Sequence, residues 1–273
     1  MRYPAVAGMF YEGDEAGLRR QIEQCFLGPL GPGKLPKVQK GARVIIGGMS
    51  PHAGYVYSGM VAAHLYGRIA EDGLPDAFII IGPNHTGRGS GLAVTLQDFE
   101  TPLGVAKVDK ELAKALRKDL VDQDDEAHKQ EHSIEVQLPF IQYLSGDVKF
   151  VPICMGFQDY DAAVAVGKTI RDAVKDKDVV VIASTDMSHY VPKEVAKRKD
   201  SMALEAVKAM DAKRLYEVVR DEDISMCGYG PVIATMTACA GGKATILKYG
   251  SSGDVQPMRE VVGYASAVIE KPH

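Results

Sequence analysis

The chain has 273 residues, with 46% hydrophobic and 25% charged side chains and a formal net charge of -4. That balance belongs to a folded globular protein, since disorder needs fewer apolar residues and more net charge. No basic stripe marks a nucleic-acid surface, and no apolar run reaches the roughly 18 residues of a membrane helix, so neither partner is expected.

The opening MRYPAVAGMFYEGDE has one arginine and no long apolar stretch, unlike a secretion signal, so a cytoplasmic protein is expected. A first helix is predicted over Glu15–Leu27, where Leu18, Ile22 and Cys25/Phe26 recur at helical spacing and Gly28 supplies a stop. The Pro- and Gly-rich stretch Gly28–Lys40 reads as a loop, too short to act as a linker between domains. Strands are predicted at Arg43–Gly48, Ala77–Gly82, Leu92–Leu96, Lys149–Cys154, Val179–Ala183, Thr245–Tyr249 and Val262–Ile269. Helical patterns fall at Gly59–Glu71, Lys110–Lys118, Asp159–Lys175, Lys193–Met210 and Pro231–Ala240. The central strands are unbroken apolar runs, as expected when both faces are covered. The last two strands read as an antiparallel pair. Together these predict one α/β domain over residues 1–273, with three αβα layers around a mixed, largely parallel sheet.

Four cysteines (Cys25, Cys154, Cys227 and Cys239) are widely spaced and form no CxxC pair, which fits neither a disulfide framework nor a zinc ribbon. Cys25, Cys154 and Cys239 are expected to be buried apolar residues. Of seven histidines, three follow strand ends: His52 after RVIIGG, His85 after AFIIIG and His189 after VVVIA. In open α/β sheets the carboxyl ends of strands form the ligand crevice. Imidazoles there suit a transition metal. His64 lies in a helical pattern, His128 in an acidic loop expected to be solvated, and His273 at the end of the chain. His132 starts a helical stretch that Pro139 is expected to bend or end. Cys227 stands in a Gly-rich turn before a helical pattern, where a helix N-terminus is expected to favour the thiolate.

These motifs are Pro-His-Ala-Gly-Tyr at 51–55, Gly-Pro-Asn-His at 82–85 and Glu-His-Ser-Ile-Glu at 131–135. Ser-Thr-Asp-Met-Ser-His at 184–189, Cys-Gly at 227–228 and the segment Pro4–Tyr11 complete the set. In this order they resemble the Memo family, whose fold is similar to the class III extradiol dioxygenases. The resemblance implies a metal site of His52, His85 and Cys227, with His189 as acid/base, Asp186 close by and His132 as a further pocket histidine. Iron(II) is the first expectation for the metal, with copper or zinc as alternatives. Asn84, Tyr55 and Tyr190 are candidates for the substrate side.

Two histidines, an open face and a proton carrier suit a non-haem oxygenase, and the resemblance to the extradiol enzymes implies a small, catechol-like aromatic as its substrate. Cys227 stands where an extradiol dioxygenase has glutamate, and a thiolate is softer and open to oxidation. A non-catalytic binding or signalling module holding a small molecule or peptide in the cleft is the second reading. Vertebrate relatives imply phosphopeptide binding, yet no Arg cluster lies near the motifs. A zinc or cysteine hydrolase is the third. Microbial relatives imply a radical-enzyme partner, and the oligomeric state is left open.

Overall fold

The computed structural model describes residues 1–117 and 121–272, so Lys118 and His273 lie outside the described residues. The N-terminal third of the chain forms α1 (Glu15–Leu27), β1 (Ile45–Ser50), a π-helical turn (Tyr55–Gly59), α2 (Met60–Asp72), β2 (Ala77–Pro83) and β3 (Leu92–Val94). There follow β4 (Phe99–Thr101), β5 (Gly104–Ala106), α3 (Lys110–Leu116), β6 (Asp122–Gln123), α4 (Glu126–Lys129), a 3-10 turn (Glu135–Gln137) and α5 (Leu138–Leu144). The remainder is β7 (Lys149–Met155), α6 (Tyr160–Ala173), β8 (Val179–Ser184), β9 (His189–Val191), α7 (Lys193–Lys208), α8 (Ala212–Asp221), α9 (Tyr229–Ala238), β10 (Lys243–Ser251), α10 (Ser252–Val255) and β11 (Val261–Glu270).

Helices α1, α3, α6 and α8 each begin on an aspartate whose carboxylate accepts a free backbone N–H of the first turn: Asp14, Asp109, Asp159 and Asp211. Such a cap is worth about 1 kcal/mol. The main sheet runs β10-β11-β1-β8-β2-β7-β3-β6. Its centre, β1-β8-β2-β7, is parallel, while β11 and β3 pair antiparallel on either flank and β10 pairs antiparallel with β11. The expected mixed sheet is therefore present.

Two adjacent glycines of β1 show why helices cover both faces. A methyl group on Gly47 would strike Cys239 beyond the end of α9, whereas one on Gly48 would strike Leu65 of α2. Successive residues of a strand face opposite ways. The helices of each layer so approach the backbone closely, which is what glycine permits.

Three expectations need correction. Pro139 lies in the first turn of α5, where its missing N–H costs nothing, so it starts that helix instead of ending one. His128 is buried, with Nε2 3.2 Å from the Ala93 carbonyl, and burial lowers its pKa to about 4. Helix α8 and the hairpin β4–β5 add to the elements expected from the sequence; the hairpin has only three residues in each strand, too few for a pattern to show. No described helix is long and apolar enough to cross a membrane.

Candidate metal centre

Strands β1 and β8 run in parallel register to their ends, Ser50 beside Ser184. His52 lies two residues beyond β1, His85 two beyond β2, and Asp186 two beyond β8. Short turns thus bring three side chains from separate strand ends to one rim. His132 joins them from the 131–135 segment. One ligand nitrogen from each of His52, His85 and His132 lies within 4.8 Å of the others. The rings of His85 and His132 stack at 4.6 Å, and His52 stands edge-on to both.

Burial, reinforced by the neighbouring rings, holds His52 well below the usual imidazole range. Burial also brings His132 down to about 4. These two rings are therefore neutral at pH 7, the form that binds metals. Glu131 organises the other side of the site. It accepts from His85 Nδ1 at 2.9 Å, from the His85 N–H at 2.5 Å, and from the N–H groups of His132 and Ser133. Burial opposes its charge, but the bond from His85 and the neighbouring His85 and His132 rings bring its pKa down to about 2. A carboxylate can only accept, so His85 carries its hydrogen on Nδ1 and presents a lone pair on Nε2. In the sequence Glu131 stands beside His132, and nothing local assigns it this role toward His85.

Cys227 Sγ lies 3.2 Å from His52 Nε2 and accepts the Asp186 N–H, also at 3.2 Å. Its loop fits here because Gly228 has no side chain: a methyl group would strike Ser184 O and Thr185. Thr185 Oγ1 accepts the Gly228 N–H, and the Gln158 amide bridges Cys227 O and Gly230 N. The thiol is not lowered by the helix N-terminus as expected. Burial, then the negative Asp186, push it up. A bound cation would reverse that balance by stabilising the thiolate. Asp186 is raised to about 6 by burial, and its Oδ1 accepts the His52 N–H at 2.8 Å.

His189 Nδ1 lies 2.7 Å from Ser225 O. A carbonyl only accepts, so Nδ1 carries a hydrogen and the ring is held with Nε2 as the atom not used in that bond. His189 lines a 460 Å³ cleft together with the three clustered histidines, Asp186, Phe10, Tyr57, Tyr190 and Tyr264. Tyr190 is an exposed rim residue in the left-handed backbone region, φ +53°. Such a conformation is unusual for a bulky side chain.

Two residues expected on the substrate side stand elsewhere. Tyr55 is buried in the core with its hydroxyl bonded to Val136 O, and the Asn84 amide is spent on its own turn through Thr86, Gly87 and Arg88. Phe10, Tyr57 and Tyr264 line the cleft instead; nothing in their local sequence signals it. Glu135 brings Phe10 into place. Fully buried, it accepts from Arg2, Tyr11 and the N–H groups of Ala5 and Val6, so the N-terminal segment is held against His132. Cys25, Cys154 and Cys239 are buried, as expected.

A family model described as Memo-like protein matches residues 2–268. Relatives named MEMO1 family protein include one from Methanococcoides burtonii, 45% identical and covering 99% of this chain and 100% of its own length. One from Methanothermobacter thermautotrophicus is 47% identical, covering 97% and 99%. One from Sulfurisphaera tokodaii is 45% identical, covering 97% and 98%. The crystal structure of an uncharacterized protein from Escherichia coli K12 shares the fold, with a TM-score of 0.58 at 15% identity over 82% of this chain and 99% of that one.

Proposed function

The chain belongs to the Memo-like protein family, and from that premise we propose that it is a mononuclear iron or copper protein with oxygenase-type chemistry on a small aromatic. The observation that carries this reading is the convergence of His52, His85 and His132 on the floor of a cleft walled by aromatic rings. The donor chemistry fits a metal. His52 and His132 are held neutral, and the anchored Nδ1 of His85 leaves its Nε2 free. Imidazole donors suit iron, copper and zinc, and the neighbouring Cys227 thiol adds a soft donor that favours copper or zinc over a hard ion.

His52 and His85 belong both to the ligand set that the resemblance implies and to the three-histidine cluster, and Cys227 and His132 supply the remaining donors. When bound, such an ion would act as a Lewis acid and one-electron centre for a chelating substrate. The protein's own contribution is to hold the aromatic ring among Phe10, Tyr57, Tyr190 and Tyr264. His189 Nε2 takes the hydroxyl proton, its ring fixed through Nδ1. Among the described residues no arginine or lysine lines the cleft, which weighs against a phosphopeptide. The raised thiol of Cys227 weighs against a cysteine nucleophile.

The test is anaerobic titration with Fe(II), Cu(I) and Co(II). Affinity is expected to fall at least about 100-fold in His52→Ala and His85→Ala, since losing only an outer partner of a ligand already costs about 10- to 100-fold. A thiolate-to-cobalt charge-transfer band should appear in the parent and vanish in Cys227→Ser. Parental affinity in both histidine variants would sink the proposal. With iron loaded, His189→Ala should lower turnover of a catechol panel by roughly 100- to 10,000-fold.

A further inference from the structure

Ser184 is the last residue of β8 and is fully buried. Its hydroxyl meets three partners: Ser133 O at 2.6 Å, Gln137 Nε2 at 2.8 Å and His52 Nδ1 at 2.9 Å. A hydroxyl has one hydrogen and two lone pairs. The Ser133 carbonyl can only accept, so the hydrogen goes there. Gln137 Nε2 can only donate, so it takes one lone pair. The second lone pair remains for His52, and a ring nitrogen facing a lone pair must carry a hydrogen.

The orientation of the Gln137 amide is fixed in turn. Its other Nε2 hydrogen goes to Pro51 O at 2.9 Å, and its Oε1 accepts from the buried Tyr66 hydroxyl at 2.6 Å. Turning the amide over would set Oε1 against the Pro51 carbonyl, two acceptors without a hydrogen between them. Tyr66, Gln137 and Ser184 are all fully buried, so water cannot substitute for any member of the chain. Gln137 also grips the peptide carbonyl just before His52, and so restrains its backbone as well.

Resting on the metal-site reading above, we propose that Ser184 and Gln137 are positioning residues that lock His52 in the tautomer with hydrogen on Nδ1, leaving Nε2 as its only ligand atom. That nitrogen is the one 3.2 Å from Cys227 Sγ. His52 and His85 are therefore oriented by different chemistry. His85 leans on the charged Glu131, whereas His52 leans on a neutral serine whose donor is committed elsewhere. An anionic partner raises ligand basicity, and a neutral one fixes direction with less electron push, so the two donors are unequal.

The experiment is long-range proton–nitrogen correlation of the histidine rings in the full ¹⁵N-labelled, metal-free chain, followed by competition titration with zinc. His52 should show a protonated Nδ1 and a bare Nε2. Ser184→Ala and Gln137→Met should lose that preference and bind zinc about 10- to 100-fold more weakly, while Ser184→Thr, which keeps the hydroxyl, should retain both. A parent spectrum with the hydrogen on Nε2 overturns the proposal, whether or not the variants fold. So does a folded Ser184→Ala with an unchanged tautomer and zinc affinity within about threefold of the parent. Because the ring spectrum needs no metal, a parent that shows the tautomer yet binds no metal would sink the function proposed above and leave the tautomer assignment intact.

Discussion

His128 offers a measurement of what burial does to an imidazole in this fold. Its side chain is 1% exposed, and burial, opposed by the bond to Ala93 O, places its pKa at about 4. In the unfolded chain the same ring titrates near 6.5. The folded value is the lower one, so between these limits the unfolded state binds the proton first. Stability is fully present above about pH 6.5 and is lost as pH falls towards 4. Moving from about pH 7.5 to pH 5 should cost about 2 kcal/mol through this residue, and a similar amount through His132, also held at about 4. His128→Gln keeps an N–H for the Ala93 carbonyl but cannot titrate. Urea unfolding with a chelator present should then show a loss about 2 kcal/mol smaller in the variant than in the parent over the same pH step. Equal losses in both proteins would refute the assignment of this acid sensitivity to His128.

Arg2→Met should be strongly destabilising, because it leaves the buried Glu135 without its cation and frees His128 O and Glu131 O. Removing one partner of a buried pair costs about 3–5 kcal/mol, a fall in Tm on the order of 10 °C for a chain of this size. A melt within about 2 °C of the parent would show that the pair carries little. Glu131→Gln keeps the shape of the side chain but removes the charge facing His85 and His132. Zinc affinity by competition should fall about 10- to 100-fold, and an unchanged value would remove Glu131 from the site.

The sequence alone carried the sheet and the rim. Unbroken runs such as AFIIIG and VVVIA are short and β-branched, which favours buried strands, and histidines two or more residues beyond them have little choice of direction. Cys227 is reached only through its place in an ordered set of motifs, because nothing local states that residue 227 returns to His52. The misses share one physical cause. His128 sits among acidic residues and reads as solvated, yet α4 folds it beneath Arg2 and Ala93. Tyr55 follows a ligand motif and reads as a pocket residue, but the turn into α2 points it at Phe140. Phe10 and Glu135 lie far apart in the chain, and only the buried carboxylate that ties down the N-terminal segment makes them neighbours of the cleft. Burial of polar groups is decided by partners distant in sequence, which periodicity does not report.

The spacing of those partners also bears on how the site comes into being. Arg2 and Glu135 are 133 positions apart, and His52 and Cys227 are 175 apart. A growing chain shorter than 227 residues lacks Cys227, so during synthesis the clustered histidines emerge long before the thiol that will stand beside them. Capture of an ion by the full arrangement, Cys227 included, follows closure of these long loops, the slow stage of folding for such a topology. A metal that binds only the finished arrangement would then act as a latch on the whole molecule, raising its stability with concentration and leaving truncated or half-folded chains without that protection.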